Sequence, residues 1–310
     1  MKRWRWSLWA VLLVVAGWSL AGFYGFGDPE TQFARILMAD GGLKVLRQRD
    51  SAWSQAQLRW QQRRVAAGYE RFLKQHPDHA RAMTAYGCFL YDEHREPEAV
   101  QMWERAISTD PGLAVAYNNL GEHLSHCGQV PTALTYFDKA RALAPDTAVF
   151  HYNWATVCAL FRRDAQRVYG WDDAEVFRRS LIAFRRAREL DPQNYQYASA
   201  YAGTFLLMRQ PDWEEAHAAW RFCLGIPTEE AERQFTYGRL SRISMRLGRY
   251  DEAHQWLEQM TVDEVSSMRD VLRRKLTDLQ AAAGDATEST ARPPHPPQSP
   301  PQQAQRLAVR

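Results

Sequence analysis

The chain has 310 residues, of which 45% are hydrophobic and 24% charged, and its formal net charge is +3 at pH 7. This excess of three positive charges equals the charge of Lys2, Arg3 and Arg5, so the rest of the chain has no net charge. We therefore expect no nucleic-acid partner. The sequence has no glycine-rich phosphate loop, nucleophile elbow, CxxC pair or CxxCH haem attachment site. We therefore expect a protein that is not an enzyme and that carries no cofactor and no metal.

Residues 1–6 form a basic N-terminus, and residues 7–26 that follow are apolar and uncharged. About 20 residues at 1.5 Å each span a hydrocarbon layer of ~30 Å, so residues 7–26 predict a single transmembrane helix. The positive-inside rule keeps the N-terminus cytoplasmic and puts the remainder outside the cytoplasm, which in a bacterium is the periplasm. The alternative is a cleaved secretory signal, because Ser19-Leu20-Ala21 is a tolerable cleavage site. Both interpretations export the remainder of the chain.

Residues 27–54 are predicted to be a helical connector, and a repeat of 34 residues follows them. Gly87 and Gly121 recur at that spacing, as do four further pairs: Ala99 and Ala133, Trp103 and Phe137, Ala106 and Ala140, and Pro111 and Pro145. A period of this size at several coupled positions indicates helix–turn–helix units that bury their apolar faces only by stacking. We therefore predict an all-α helix–turn–helix solenoid over residues 55–283.

The flanking units depart from the strict period. Residues 148–194 hold an insertion near 163–173, residues 195–228 fit the repeat loosely, and residues 234–262 recover it. Residues 265–283 predict an amphipathic helix that caps the stack. Gln57–Gln75 predicts a degenerate second helix of an earlier unit. The proline-rich residues 284–310 cannot pack a core, so we predict a disordered tail.

The repeat resembles the tetratricopeptide repeat (TPR) family, in which each unit is a pair of helices, A and B. Residues 80–113 and 114–147 carry the resemblance best, and the second of them matches the family pattern with Tyr117, Leu120-Gly121, Leu124, Ala133, Phe137, Ala140 and Pro145. Glycine and alanine stand where a larger side chain would force helices A and B apart, and aromatic side chains fill the space between them. The resemblance implies a TPR solenoid that holds other molecules in a groove rather than transforming them.

In TPR proteins helix A lines the concave face, and Asn119 and Asn153 occupy equivalent positions in successive helices A. A carboxamide both donates and accepts hydrogen bonds, so the resemblance implies that these residues hold the backbone of an extended peptide. The alternative is that asparagine is simply common at this position in the family. The other residues expected in the groove are Asn118, Glu122, His126, Tyr152 and Thr156.

A second candidate site follows from arginine spacing. Arg239, Arg242 and Arg246 are spaced i, i+3, i+7, which puts three guanidinium groups on one face of a helix. Such a face could bind a carboxylate terminus or another anion. The alternative is a solvated face balanced by the acidic residues Glu229, Glu230 and Glu232. The carboxylate clamp of chaperone-binding TPR proteins is not supported, because its first-repeat positions hold Thr84 and Cys88.

The cysteines and histidines allow two weaker interpretations. His123 and Cys127 are four residues apart and could share a metal, although ordinary helix packing is favoured. Cys127 and Cys158 fall on neighbouring helices A and could form a disulfide in an exported domain, although Cys158 also fits a core position.

Taken together, these patterns predict a membrane-anchored TPR scaffold that binds an extended peptide or protein partner in its concave groove and assembles an envelope complex. The alternative is an accessory subunit of a membrane-bound enzyme, such as a cytochrome or polysaccharide assembly system. The sequence features that separate these functions from catalysis are the repeat and the missing enzyme motifs.

Overall fold

A computed structural model describes residues 27–48 and 55–291, and every regular element within those ranges is a helix. None of these helices is long and apolar enough to cross a bilayer. The predicted membrane segment at 7–26 and the proline-rich residues 292–310 lie outside the described ranges. The chain divides between Leu190 and Asp191 into two compact units.

The first unit contains nine of the described helices, and the third to the seventh of these follow the 34-residue repeat. They are α1 (Pro29–Gln48), α2 (Gln55–Gln75), α3 (Ala80–Asp92), α4 (Glu96–Thr109), α5 (Ala114–His126), α6 (Val130–Leu143), α7 (Ala148–Leu160), α8 (Arg162–Tyr169) and α9 (Asp173–Leu190). Helices α3 and α4 form one predicted hairpin, and α5 and α6 form the next. The helix B of both these hairpins has a proline in its first turn, Pro97 in α4 and Pro131 in α6, where no backbone donor is lost.

The glycines of the repeat lie directly against the aromatic residue of the paired helix. A Cβ at Gly87 would stand 2.4 Å from Nε1 of Trp103, and a Cβ at Gly121 would stand 3.0 Å from the ring of Phe137. Both aromatic side chains are buried. The absence of a side chain on helix A therefore lets helix B approach closely enough to bury its ring.

The turn from helix A to helix B needs a residue in the left-handed region. Gly128 has a φ of 76° and Gly248 a φ of 72° at their turns, and His94 has a φ of 59° at the turn equivalent to that of Gly128. Glycine adopts this conformation without steric cost, whereas histidine does so only with strain.

Helix α1 lies within residues 27–54, for which a helical connector was predicted, and it packs against α2. Its Phe33 stacks on Phe72 with ring centroids 5.8 Å apart, and its buried Asp40 accepts a hydrogen bond from Tyr69 Oη at 2.9 Å. Lys44 pairs with Asp92 of α3 at 2.9 Å. Helix α1 thus packs on α2 and α3 as a helix A does. The low amphipathicity of its sequence explains why the pattern did not indicate a buried face.

The insertion predicted near 163–173 forms the short helix α8, which ends at Gly170 in the left-handed conformation. Tyr169 and Trp171 stack with their centroids 4.2 Å apart. Trp154 Nε1 donates to Tyr169 Oη at 3.0 Å, and Tyr169 donates in turn to Asp138 at 2.6 Å. The inserted residues are therefore held against α6 and α7, and α9 supplies the displaced helix B of this hairpin.

The second unit contains α10 (Tyr195–Thr204), α11 (Trp213–Cys223), α12 (Glu230–Arg246), α13 (Tyr250–Glu258) and α14 (Ser266–Ala291). Helix α14 packs on both α12 and α13 and buries Leu272 and Leu276, as expected of a capping helix. It continues to Ala291, past the boundary at 284 from which a disordered tail was predicted. Residues 284–291 contain no proline, so each of them can donate its backbone N–H within the helix.

Three glycine-to-alanine substitutions should change stability with different signs. Gly87→Ala and Gly121→Ala should destabilise by about 1–3 kcal/mol, because each methyl group overpacks against an aromatic ring. Gly203→Ala should be neutral or stabilising by up to about 1 kcal/mol, because its Cβ would meet Trp220 at an ordinary 3.9 Å while helix propensity improves. Urea unfolding measures all three, and equal effects would contradict the proposed packing of the repeat.

Candidate polypeptide-binding face

The two asparagines that define the candidate site leave their carboxamide oxygens unoccupied. Asn119 Nδ2 donates to Cys88 Sγ at 3.0 Å, and Asn153 Nδ2 donates to Asn118 Oδ1 at 3.1 Å. Within the described residues, neither Asn119 Oδ1 nor Asn153 Oδ1 has a hydrogen-bond partner, and both residues are half-buried. Each side chain is therefore oriented by its NH₂ group and retains an acceptor for a peptide N–H.

Asn118 has a different position from the one predicted. Only 5% of it is exposed, and its side chain bridges α5 and α7 through Asn153. It therefore positions Asn153 and does not itself present a surface to a ligand.

The remaining predicted groove residues divide into exposed and half-buried ones. Glu122 and His126 are exposed on α5, one and two turns beyond Asn119. Tyr152 is half-buried and lies edge-on to Phe184 with centroids 5.9 Å apart. Thr156 lies one turn beyond Asn153 on α7, and its Oγ1 is buried with no hydrogen-bond partner among the described residues. An unpaired buried hydroxyl lowers the stability of the fold.

Cys88 is the residue of this face that sequence analysis did not assign to it. It lies one repeat before Glu122, and its thiol accepts the hydrogen bond that orients Asn119. Burial is the main cause that raises the pKa of this thiol, so it stays protonated at neutral pH. The repeat period could have indicated its position, but not its contact with a side chain of the next unit.

The three arginines of the second candidate site lie on α12 and have no carboxylate partner among the described residues. Arg242 and Arg246 are exposed, and Arg239 is half-buried with its Cζ 4.3 Å from the ring centroid of Phe235. Burial, with a smaller contribution from Arg242, lowers the pKa of Arg239. Of the acidic residues that were expected to balance this face, Glu230 pairs instead with Arg233 at 3.3 Å.

The cysteines are not cross-linked. All four are free, with Cys158 buried and Cys127 exposed, so the disulfide considered between them is absent. Cys127 Sγ lies 3.5 Å from His123 Nε2, which places those two side chains together as their spacing suggested. Residues 27–48 and 55–291 contain no group of three side chains suited to hold a metal ion.

Two of the comparisons with known proteins rest on the sequence. No family model matches the chain. Protein FlbA of Caulobacter vibrioides is 32% identical over 79 residues, which span 26% of this chain and only 13% of FlbA. The relation to FlbA is therefore limited to a small part of that protein.

Three solved structures are similar in fold. YrrB, a TPR protein with an unusual peptide-binding site, has a TM-score of 0.55 at 13% identity, covering 67% of this chain and 99% of YrrB. PilF of Pseudomonas aeruginosa has a TM-score of 0.57 at 15% identity, with coverages of 78% and 96%. PilW, a type IV pilus biogenesis factor, has a TM-score of 0.52 at 17% identity, with coverages of 78% and 98%. The chain has an all-helical, TPR-like fold.

The two neighbouring asparagines of α5 should differ in their effect on stability. Asn118→Ala should lower the free energy of unfolding by about 1 kcal/mol, because a part-buried hydrogen bond between α5 and α7 is lost. Asn119→Ala should be nearly neutral, because it removes only a weak bond to sulfur from a half-buried side chain. Urea unfolding of the two variants tests this, and a larger loss for Asn119→Ala would contradict the assignment of the two faces.

Proposed function

We propose that this protein is a scaffold whose helix-A face in the first unit binds an extended segment of a partner polypeptide. The observation that carries the proposal is the pair of oriented asparagines on α5 and α7, each with an unoccupied carboxamide oxygen. Extended peptides expose backbone N–H groups at regular intervals, and a carboxamide oxygen is a good acceptor for them.

Thr156 adds a second group to the same proposal. Its buried hydroxyl has no partner in the described residues, and it lies one turn beyond Asn153 on α7. A hydroxyl can either donate to a peptide carbonyl or accept from a peptide N–H. Because this hydroxyl is buried in the free protein, Thr156 must change its χ1 rotamer to reach a bound peptide, and binding would then give the hydroxyl a partner.

The proposed setting is the outer side of a membrane, with residues 7–26 as an uncleaved anchor and the binding face outside the cytoplasm. This part rests on the basic N-terminus and on the length of the apolar run. A secreted form released by cleavage after Ala21 is the alternative. The proposed role is assembly of an envelope complex, and PilW, whose fold is similar, is a pilus biogenesis factor.

The double substitution Asn119→Ala with Thr156→Val tests the binding face. We expect the partner, isolated by pull-down from detergent-solubilised membranes, to bind the variant about tenfold more weakly in titration calorimetry. Two hydrogen bonds of about 0.5–1.5 kcal/mol each would be lost. Stability should stay level or rise, because Thr156→Val removes an unpaired buried hydroxyl without changing its volume much.

Two comparisons make this test specific. Asn153→Ala is avoided, since it would leave the buried Asn118 Oδ1 unpaired and mix stability with binding. Thr135→Val removes an equivalent hydroxyl from an exposed position of α6 and should leave affinity unchanged. Wild-type affinity of the double variant would refute the proposed face, whether its stability stays level or rises.

A further inference from the structure

The arginines of α12 form an unneutralised row in the second unit, defined here as Arg239, Arg242 and Arg246. No carboxylate in the described part of the chain pairs with any of them. At 1.5 Å per residue, the row extends about 10 Å along the helix.

The absence of partners is not explained by a shortage of acidic residues nearby in the chain. Other arginines of the same unit are paired: Arg249 with Glu214 at 2.6 Å, Arg273 with Glu258 at 2.9 Å, and Arg233 with Glu230 at 3.3 Å. Unit two therefore neutralises some of its basic side chains, whereas this row places three unneutralised charges on one face of a single helix.

Arg239 is held in an environment that is unfavourable without a ligand. Its Nε is buried and has no hydrogen-bond partner, and its guanidinium lies over the ring of Phe235. Arg242, three residues further along the same helix, adds like-charge repulsion to the cost of burial, and both effects lower the pKa of Arg239. An anion bound to the terminal nitrogens of this guanidinium would offset the repulsion.

We propose that this row binds the carboxylates of an acidic segment in a partner polypeptide. Arg242 and Arg246 are separated by about 6 Å along the helix axis. Side chains on one face of an extended peptide recur every ~6.6 Å, so two carboxylates at alternate positions match this separation. A guanidinium presents a planar pair of donors that suits a carboxylate.

The surroundings of the row favour a short peptide over an extended polyanion. The first turn of α12 carries Glu230 and Glu232, so the positive surface of the row does not continue toward the start of the helix, as a nucleic acid or an anionic bilayer would require. Phe235 is 40% exposed next to Arg239 and offers apolar contact that a peptide side chain can use. The row therefore fits a few carboxylates with an adjacent apolar residue.

The test uses the full-length chain and a fluorescent peptide of alternating glutamate and serine, measured by anisotropy at low and moderate salt. Arg239→Glu with Arg242→Glu should weaken binding at least tenfold, because two charge-assisted contacts become repulsive. The matched control is Arg274→Glu with Lys275→Glu on α14, which makes the same change in net charge at exposed positions. That control should bind nearly as wild type does.

A second variant, Arg242→Gln with Arg246→Gln, alters only exposed side chains and keeps the test valid if the half-buried Arg239 is needed for folding. It should also weaken binding and reduce its dependence on salt. A glutamine–serine peptide should not compete. The proposal is overturned if both row variants bind the acidic peptide as wild type does, or if the α14 control loses affinity equally. It is also overturned if the row is required only for phosphatidylglycerol vesicles or inorganic phosphate.

Discussion

The close approach of a glycine on helix A to an aromatic ring on helix B is the contact on which the repeat depends. Gly87 faces Trp103 at a distance that leaves no room for a methyl group, and Gly121 faces Phe137 so closely that a methyl group would require the ring to shift. Trp103 also donates from Nε1 to the carbonyl of Thr84, so the ring is fixed in direction as well as position. Because this contact turns one face of helix A toward helix B, it decides which residues of helix A remain available. Asn119 lies outside that contact, on the half-buried face that we assign to polypeptide binding.

Polar contacts then join the successive helices A. The Asn118–Asn153 and Cys88–Asn119 hydrogen bonds connect α5 to α7 and α3 to α5, respectively. These bonds orient the carboxamides of Asn119 and Asn153 without using the oxygen atoms of those two side chains. A face built in this way is partly preorganised, so its side chains would lose little conformational entropy when a peptide binds.

The sequence predicted the repeat correctly because glycine, alanine and aromatic residues recur at positions where only their sizes are tolerated. It did not predict that α1 packs against α2, because that depends on contacts such as Phe33 with Phe72 between segments with no repeat signature. It also did not predict the burial of Asn118. Asn118 and Asn119 are successive residues, so they point in directions about 100° apart around the helix axis. The period of the repeat does not show which of the two directions faces the neighbouring helices. The contact between Arg239 and Phe235 could have been predicted from the sequence, since residues i and i+4 are neighbours on a helix.

The most direct test of the central claim is site-specific photocrosslinking in the native host, with a photoreactive amino acid placed on one helix face at a time. Glu122 is exposed on α5, along the proposed binding face, and Lys139 is exposed on α6, the helix B of the same hairpin. The account predicts a discrete crosslinked partner from position 122 and none from position 139 at equal expression. The same partner captured from position 139 and not from position 122 would contradict it.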